Sequence, residues 1–456
     1  MVIYFLITRT KFEIGWHLRV DFNQLSFPSK NVYFCRASEN MKKTDVLVIG
    51  AGPSGTIAAS LIKKAGFDVI IVEKLLFPRF VIGESLLPRC MEALDEAGFL
   101  EAVKAQGFQE KFGAKFVMNN NEICDFNFNE KHTQGFDWTW QVPRANFDKT
   151  LADECEKMGI PVEYETEVTD IKINADDESS ITTVRYTDGS TEEIHARFIV
   201  DGSGYGRVIP RLFGLEKDSN LPPRETLFTH YEDKNRDRVA QEPNRITIFV
   251  YNETTWVWVI PFSNGVTSVG FVGFPDVFET LSGTPDENMR FLINSHPELK
   301  ERFGDCTMLF EPVTLKSWSA TTDRFYGKGF VLTGNVTEFL DPMFSSGVTL
   351  ASVSAQNAGH LVIKKLQGQE VDWEKEYMEP CMQGVNVFRT FVMGWYDGDL
   401  HTIFFAKNQN EDMRRQICSV LAGYVWDESN PFVRNHSKQV KTLANYIRNS
   451  SEVNPV

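Results

Sequence analysis

Positive charge is scarce in this sequence. Its 47 Lys and Arg stand against 62 Asp and Glu, a formal charge of -15 at pH 7. An acidic surface repels nucleic acid and anionic lipid alike, so neither is expected as a partner. The cysteines offer no framework. Cys35, Cys90, Cys124, Cys155, Cys306, Cys381 and Cys418 are scattered, odd in number and never in a C-x-x-C pair. That excludes a zinc-ribbon pattern and predicts reduced thiols in a cytoplasmic protein. The histidines, His230 and His296 among them, have no ligand spacing, and no metal is assigned. No run of about 20 apolar residues occurs, so no transmembrane helix is predicted. Ser85 and Ser345 lack a nearby His/Asp pattern and do not read as hydrolase nucleophiles. No internal repeat is visible.

Aromatic side chains, by contrast, are plentiful. Thirty-six Phe, nine Trp and twelve Tyr suit pockets for planar ligands, and equally a Phe-rich core. The first forty residues differ from the rest. "MVIYFLITRTKFEIGW" has an apolar patch with neither a basic region before it nor a small-residue cleavage site, whereas "MKKTDVLVIGAG" runs from Met41 straight into a buried strand. Residues 1–40 are expected to be a misassigned start or a disordered extension, with a targeting segment as the alternative.

The strongest local signal lies between Asp45 and Lys74. "VLVI" is a continuous apolar run, as a parallel strand covered on both faces requires. Gly50, Gly52 and Gly55 follow at G-x-G-x-x-G spacing: the first for a tight turn, the second for close approach of a pyrophosphate, the third for helix–strand packing. The helix that starts at Pro53, which has no N–H of its own, then offers the unpaired N–H groups of Ser54 and the residues after it to phosphate. Glu73 ends the next strand, where an acid accepts hydrogen bonds from a ribose. Strand, turn, helix, strand and acid together predict dinucleotide binding.

Further along, period-2 alternation and tight turns such as Asp188-Gly189 indicate antiparallel sheet. The expected class is α/β (α+β): a discontinuous Rossmann-like FAD-binding domain, an inserted antiparallel substrate sheet and a C-terminal helical cap. The nucleotide domain is placed at 41–110, 144–215 and 326–368. Substrate-domain strands occupy 111–143 and 216–325, and the cap 369–456. Two later segments carry chemistry. "ARFIVDGSGYG" ends a strand at Asp201-Gly202, and "GFVLTGNVTEFLDPMFSSGV" places Gly334-Asn335 and Asp341-Pro342 before a helix. Backbone N–H groups at that helix start suit the electron-rich edge of a flavin or a small anion.

These three segments, in this order, resemble the FAD-binding family that holds aromatic hydroxylases, geranylgeranyl reductases and flavin-dependent halogenases. "FPRFVIGESLLP" (77–88) is similar to the strap near the flavin in halogenases of phenols and pyrroles. "WVWVIP", with Trp256, Trp258, Ile260 and Pro261, looks like the W-x-W-x-I-P signature of flavin-dependent halogenases. The resemblance covers roughly residues 44–365. It implies FAD contacts from the glycine turn and from Lys74, Glu84, Ser85, Arg144, Val168, Gly347 and Val348 as well. It also implies a halide held at Ser346 and Gly347, and an indole wall of Trp256 and Trp258 between flavin and substrate. Lys111, in "GFQEKFGAKF" after the Gly83-Glu84-Ser85 strap, is then the amine that handles hypohalous acid at the end of a tunnel, with Lys115 as the competing candidate.

Three departures qualify the match. Gly334-Asn335 stands where the family often has Gly-Asp. Phe344 replaces the glutamate of tryptophan halogenases, so the substrate must supply its own activation, as a phenolate does. Trp138 and Trp140 either line the substrate side or pack in the core. Without a second G-x-G-x-x-G for NAD(P)H, a separate flavin reductase is expected to supply reduced FAD. The resemblance implies secondary metabolism and an aromatic substrate, free or tethered to a carrier protein. An aromatic monooxygenase or geranylgeranyl-reductase-like oxidoreductase is the alternative, and a non-catalytic flavin-binding partner a lesser one.

Overall fold

The computed structural model describes residues 41–118, 122–219, 221–239, 242–252, 254–316, 319–407 and 409–453. Residues 1–40, and with them Cys35 and the expected extension, lie outside the described residues. The remainder forms one compact unit.

One sheet is built on the Lys42–Ile49 strand, flanked in parallel by Thr191–Asp201 on one side and Val69–Val72 on the other. Phe330–Leu332 extends it in parallel beside Asp201. Val46 and Val48 face one apolar layer; Leu47 and Ile49 face another. Burial on both faces is why the strand reads as an unbroken apolar run. The register brings Ile49, Val72, Asp201 and Leu332 level. The loops that leave their carboxyl ends therefore converge, the place where such sheets bind ligands. Two glycines make the convergence possible. A Cβ on Gly55 would stand 1.9 Å from Gly50 O, and one on Gly50, at φ +95°, would stand 2.7 Å from Gly202 O.

The second sheet runs Thr307–Met308, Glu225–Glu232, Val266–Gly273, Trp256–Pro261, Thr247–Val250, Gly113–Val117, Ile123–Asn127. It is antiparallel except where Thr247–Val250 meets Gly113–Val117 in parallel. In "WVWVIP", Val257 and Val259 pack toward the Pro285–Asn294 and Pro297–Phe303 helices, while Trp256, Trp258 and Ile260 face the opposite layer. The C-terminal helices, from Glu379–Tyr396 to His436–Val453, close that layer.

Not every residue in 111–143 joins this sheet. Thr139–Gln141 pairs instead with Gln109–Lys111 as a separate ribbon, and Trp140 and Val142 belong to the nucleotide-side core. Trp138 and Trp140 stack edge to face at 4.9 Å there, which assigns them to packing. Among the described residues no helix is long and apolar enough to cross a membrane, and no cluster of His, Cys, Asp and Glu is placed to hold a metal ion.

Candidate active site

A cavity of about 520 Å³ runs from the converging loops to the indole strand. Its nucleotide end is walled by Gly50, Gly52, Pro53, Ser54, Glu73 and Lys74, its middle by Gly83, Glu84, Ser85, Arg144 and Gly202, and its far end by Trp256, Trp258, Ile260, Asn335, Gly347 and Val348. Most of that far wall is apolar, as a planar aromatic ligand requires.

The residues fit a flavin dinucleotide. The Pro53–Lys64 helix begins on the cavity wall with no side-chain cap, leaving its first N–H groups free for phosphate. Glu73 Oε2 accepts from Ala51 N and Oε1 from Leu75 N, both at 2.9 Å, which holds the carboxylate at the rim with a lone pair left on each oxygen. Arg144 is fixed by Asp148 at 2.8 Å and by the carbonyl of Ile82 at 3.1 Å, so that it braces the strap from the start of its own helix.

Lys111 occupies an unusual position for a lysine: it is 3% exposed. Its Nζ donates to Ser85 Oγ and to Leu86 O, each at 2.8 Å, and lies 5.5 Å from the Phe128 ring. Burial pulls its pKa from 10.5 down to about 7; the Cys90 thiol opposes that fall and Arg245 adds to it. An ammonium ion without a counter-ion loses hydration it cannot replace, so the neutral amine gains. Lys115, the competitor, forms a partly exposed ion pair with Glu242 and lies on the far side of the strand's pleat.

Beside the strap, the two indoles are each held by their N–H. Trp258 donates to Ser268 Oγ and Trp256 to the Tyr396 hydroxyl, both at 3.0 Å, with ring centroids 6.0 Å apart. Trp258 lies across Gly270 of the neighbouring strand, where a Cβ would come within 2.2 Å of the indole.

A model of the FAD binding domain family matches residues 43–375. The chain is 28% identical over 393 residues to a brominase of pyrrole-2-carbonyl on a peptidyl-carrier protein from Pseudoalteromonas luteoviolacea, spanning 85% of this chain and 93% of that one. It is 27% identical over 405 residues to the corresponding chlorinase of Pseudomonas fluorescens, spanning 84% and 89%. The chain belongs to the FAD binding domain family, and these two relatives are halogenases. Among solved structures, a flavoprotein/dehydrogenase from Cytophaga hutchinsonii matches with a TM-score of 0.88 at 59% identity, over 90% of this chain and all (100%) of that one.

Some residues of this FAD-binding chain stand back from the cavity wall. Val168 packs into the apolar layer behind the parallel sheet, not on the cavity wall, because its strand joins the antiparallel extension of Thr191–Asp201. Lys111 is one hydrogen bond behind the wall: Ser85 faces the cavity and the amine sits beneath it. Asp201 also acts from behind, accepting from Ser203 N and Ile209 N and so shaping the loop after Gly202. Gly334, at φ +61°, turns its N–H to Ser354 Oγ. Asp341 caps the Pro342–Phe344 turn through Met343 N, and Ser346 begins the next helix, buried, with left-handed Ser345 before it. Phe344 fills the layer against Phe391 and Trp395.

Three side chains escaped the sequence. His230 Nε2 lies 2.8 Å from Glu84 Oε1, and Glu84 Oε2 is buried with no hydrogen-bond partner among the described residues. Tyr396 meets both Trp256 and Asp341. Arg224 lies with its guanidinium 3.8 Å from the Tyr396 ring centroid. The only sequence signal for these was the Glu84 of the strap.

Proposed function

We propose that the chain is an FAD-dependent halogenase that uses reduced FAD, oxygen and chloride or bromide to halogenate an electron-rich aromatic ring, phenolic or pyrrole-like. The observation that carries this reading is the Lys111 amine, buried with no carboxylate beside it among the described residues and shifted to about 7. A structural lysine would be expected at the surface or in an ion pair. A working amine needs its neutral form near neutral pH.

The chain's own residues then divide the work. The Gly50–Gly55 turn and the helix start hold the pyrophosphate, Glu73 the ribose, and the strap with Arg144 the middle of the cofactor. Bound reduced FAD would supply, with oxygen, the two-electron oxidation of halide to hypohalous acid. Backbone N–H groups at Ser346 and Gly347 hold the halide. Trp256 and Trp258 bar direct oxygen transfer to the substrate and exclude water. Lys111, reached past Ser85, hydrogen-bonds or captures the oxidant and presents electrophilic halogen to the ring.

The 59% identity to a flavoprotein/dehydrogenase favours a second reading, an FAD-dependent hydroxylase or reductase. Such an enzyme would be indifferent to halide. The test is incubation with FAD, a flavin reductase, NADH and bromide, using phenols and pyrroles both free and loaded on a carrier protein, followed by mass spectrometry. A bromine isotope doublet in a product supports the halogenase; hydroxylated or reduced products independent of bromide support the second reading.

A further inference from the structure

One helix of the cap reaches the turn ahead of the Ser346–Leu366 helix at two points. Arg389 and Tyr396 are seven residues apart on Glu379–Tyr396, about two helical turns, and so share a face. Arg389 donates to Glu338 Oε1 at 2.5 Å, and the Tyr396 hydroxyl to Asp341 Oδ2 at 3.0 Å. Between them Phe391 and Trp395 hold Phe344, with ring centroids 6.0 and 6.1 Å away.

Tyr396 does more than anchor the cap. Its oxygen accepts the indole N–H of Trp256 at 3.0 Å while its own proton goes to Asp341. The donors therefore run in one direction, from indole to phenol to carboxylate. Asp341 Oδ1 takes the N–H of Met343 at 3.0 Å, so the carboxylate that ends the chain also shapes the turn leading to Gly347. Arg224 fixes the plane of the phenol, its guanidinium lying 3.8 Å from the centroids of both Tyr396 and Phe274.

We infer that Tyr396 is a positioning residue that ties the Trp256 indole to the turn at residues 341–347, so that cap, indole wall and turn hold one arrangement. Its geometric part stands on the distances above; its catalytic consequence rests on the halogenase reading. Without the hydroxyl, the buried indole N–H loses its acceptor and the wall is free to shift. A shifted wall lets oxidant reach water or protein before it reaches the substrate.

Asp341 gives the arrangement a pH signature. Burial raises its pKa to about 6, against the Met343 N–H, the Tyr396 hydroxyl and the Arg224 charge, which all favour the carboxylate. These groups come from the turn itself, from the cap helix and from the segment before the Glu225–Glu232 strand. Below that pH the charge-assisted hydrogen bond from Tyr396 weakens, and the indole one bond away feels the change.

The test compares the full-length, FAD-loaded wild type with Tyr396→Phe, Asp341→Asn and Trp256→Phe. Near-ultraviolet circular dichroism from pH 5 to 8 should show a tryptophan transition centred near pH 6 in the wild type. It should be absent from all three variants. In parallel, Tyr396→Phe should bind FAD and consume oxygen as the wild type does, while brominated product per oxygen consumed falls about tenfold, the size of one lost charge-assisted hydrogen bond. A Tyr396→Phe protein that keeps both the transition and the product yield overturns the inference. So does a wild-type transition that survives Trp256→Phe, and that outcome is readable even if the tyrosine variant fails to fold. If the wild type makes no brominated product but Tyr396→Phe abolishes the transition, the positioning stands and the halogenase reading falls.

Discussion

Lys111 Nζ and Ser85 Oγ lie 2.8 Å apart, and of the two only Ser85 stands on the cavity wall. The strap that borders the cofactor end therefore also hands the amine its place. Gly83, Glu84 and Ser85 face the cavity, Ser85 and the carbonyl of Leu86 hold the lysine, and Glu84 reaches His230. One extended segment connects the halves of the site.

The Lys111 amine sets a pH dependence with a definite sign. Its pKa lies at about 7, so below that pH it carries a proton. With the neutral amine as the working form, halogenation per oxygen consumed should rise as pH passes 7 and level off above it. Stability should move the same way. Between the folded value near 7 and the ordinary lysine value of 10.5, the unfolded chain holds a proton that the folded one lacks, so stability increases with pH across that window. Chemical denaturation of wild type and Lys111→Met over this range checks it, and equal slopes would count against the assignment.

Gly270 should resist substitution. An alanine there meets the Trp258 indole at 2.2 Å, and the neighbouring strand cannot retreat. Gly270→Ala should lose about 1–3 kcal/mol, the usual cost of overpacking, and change the near-ultraviolet tryptophan spectrum. Thermal unfolding and circular dichroism report both; an unaltered spectrum would show that the indole is not held against this strand.

Glu73 should matter to FAD more than to the fold. Its two oxygens accept Ala51 N and Leu75 N at the cavity rim. Glu73→Gln is expected to weaken FAD binding about tenfold by calorimetry, the loss of a charge-assisted contact, while the FAD-free protein loses only about 1 kcal/mol of stability, because the amide oxygen still accepts one of the two backbone N–H groups.

Lys115 supplies the contrast to Lys111. It pairs with Glu242 at the surface. Lys115→Ala should leave product yield, oxygen consumption and FAD affinity at wild-type levels. A halogenation defect in that variant would move the working amine to the wrong lysine.

What the sequence disclosed depended on how local the cause was. Gly50, Gly52 and Gly55 announce themselves because a strand, a turn and a helix meet within a dozen residues. Trp256 and Trp258 were legible because a strand places alternate residues on one face. The antiparallel excursion that carries Val168 away from the cavity was not, because it depends on pairing with Ser180–Tyr186. Nor were His230, Arg224 and Tyr396. Glu84 and His230 are 146 residues apart, and Trp256 and Tyr396 are 140 apart, so only the folded chain brings them together. Trp138 and Trp140 could face either way by sequence, and the ribbon with Gln109–Lys111 turns them into the nucleotide-side core.

The most direct measurement is a comparison of wild type with Lys111→Ala, each supplied with FAD, flavin reductase, NADH, bromide and an electron-rich phenol. FAD affinity and oxygen uptake should be the same in both proteins, while brominated product falls at least about 100-fold in the variant, roughly 2.7 kcal/mol of lost transition-state stabilisation. Equal yields of brominated product from the two proteins would contradict the account.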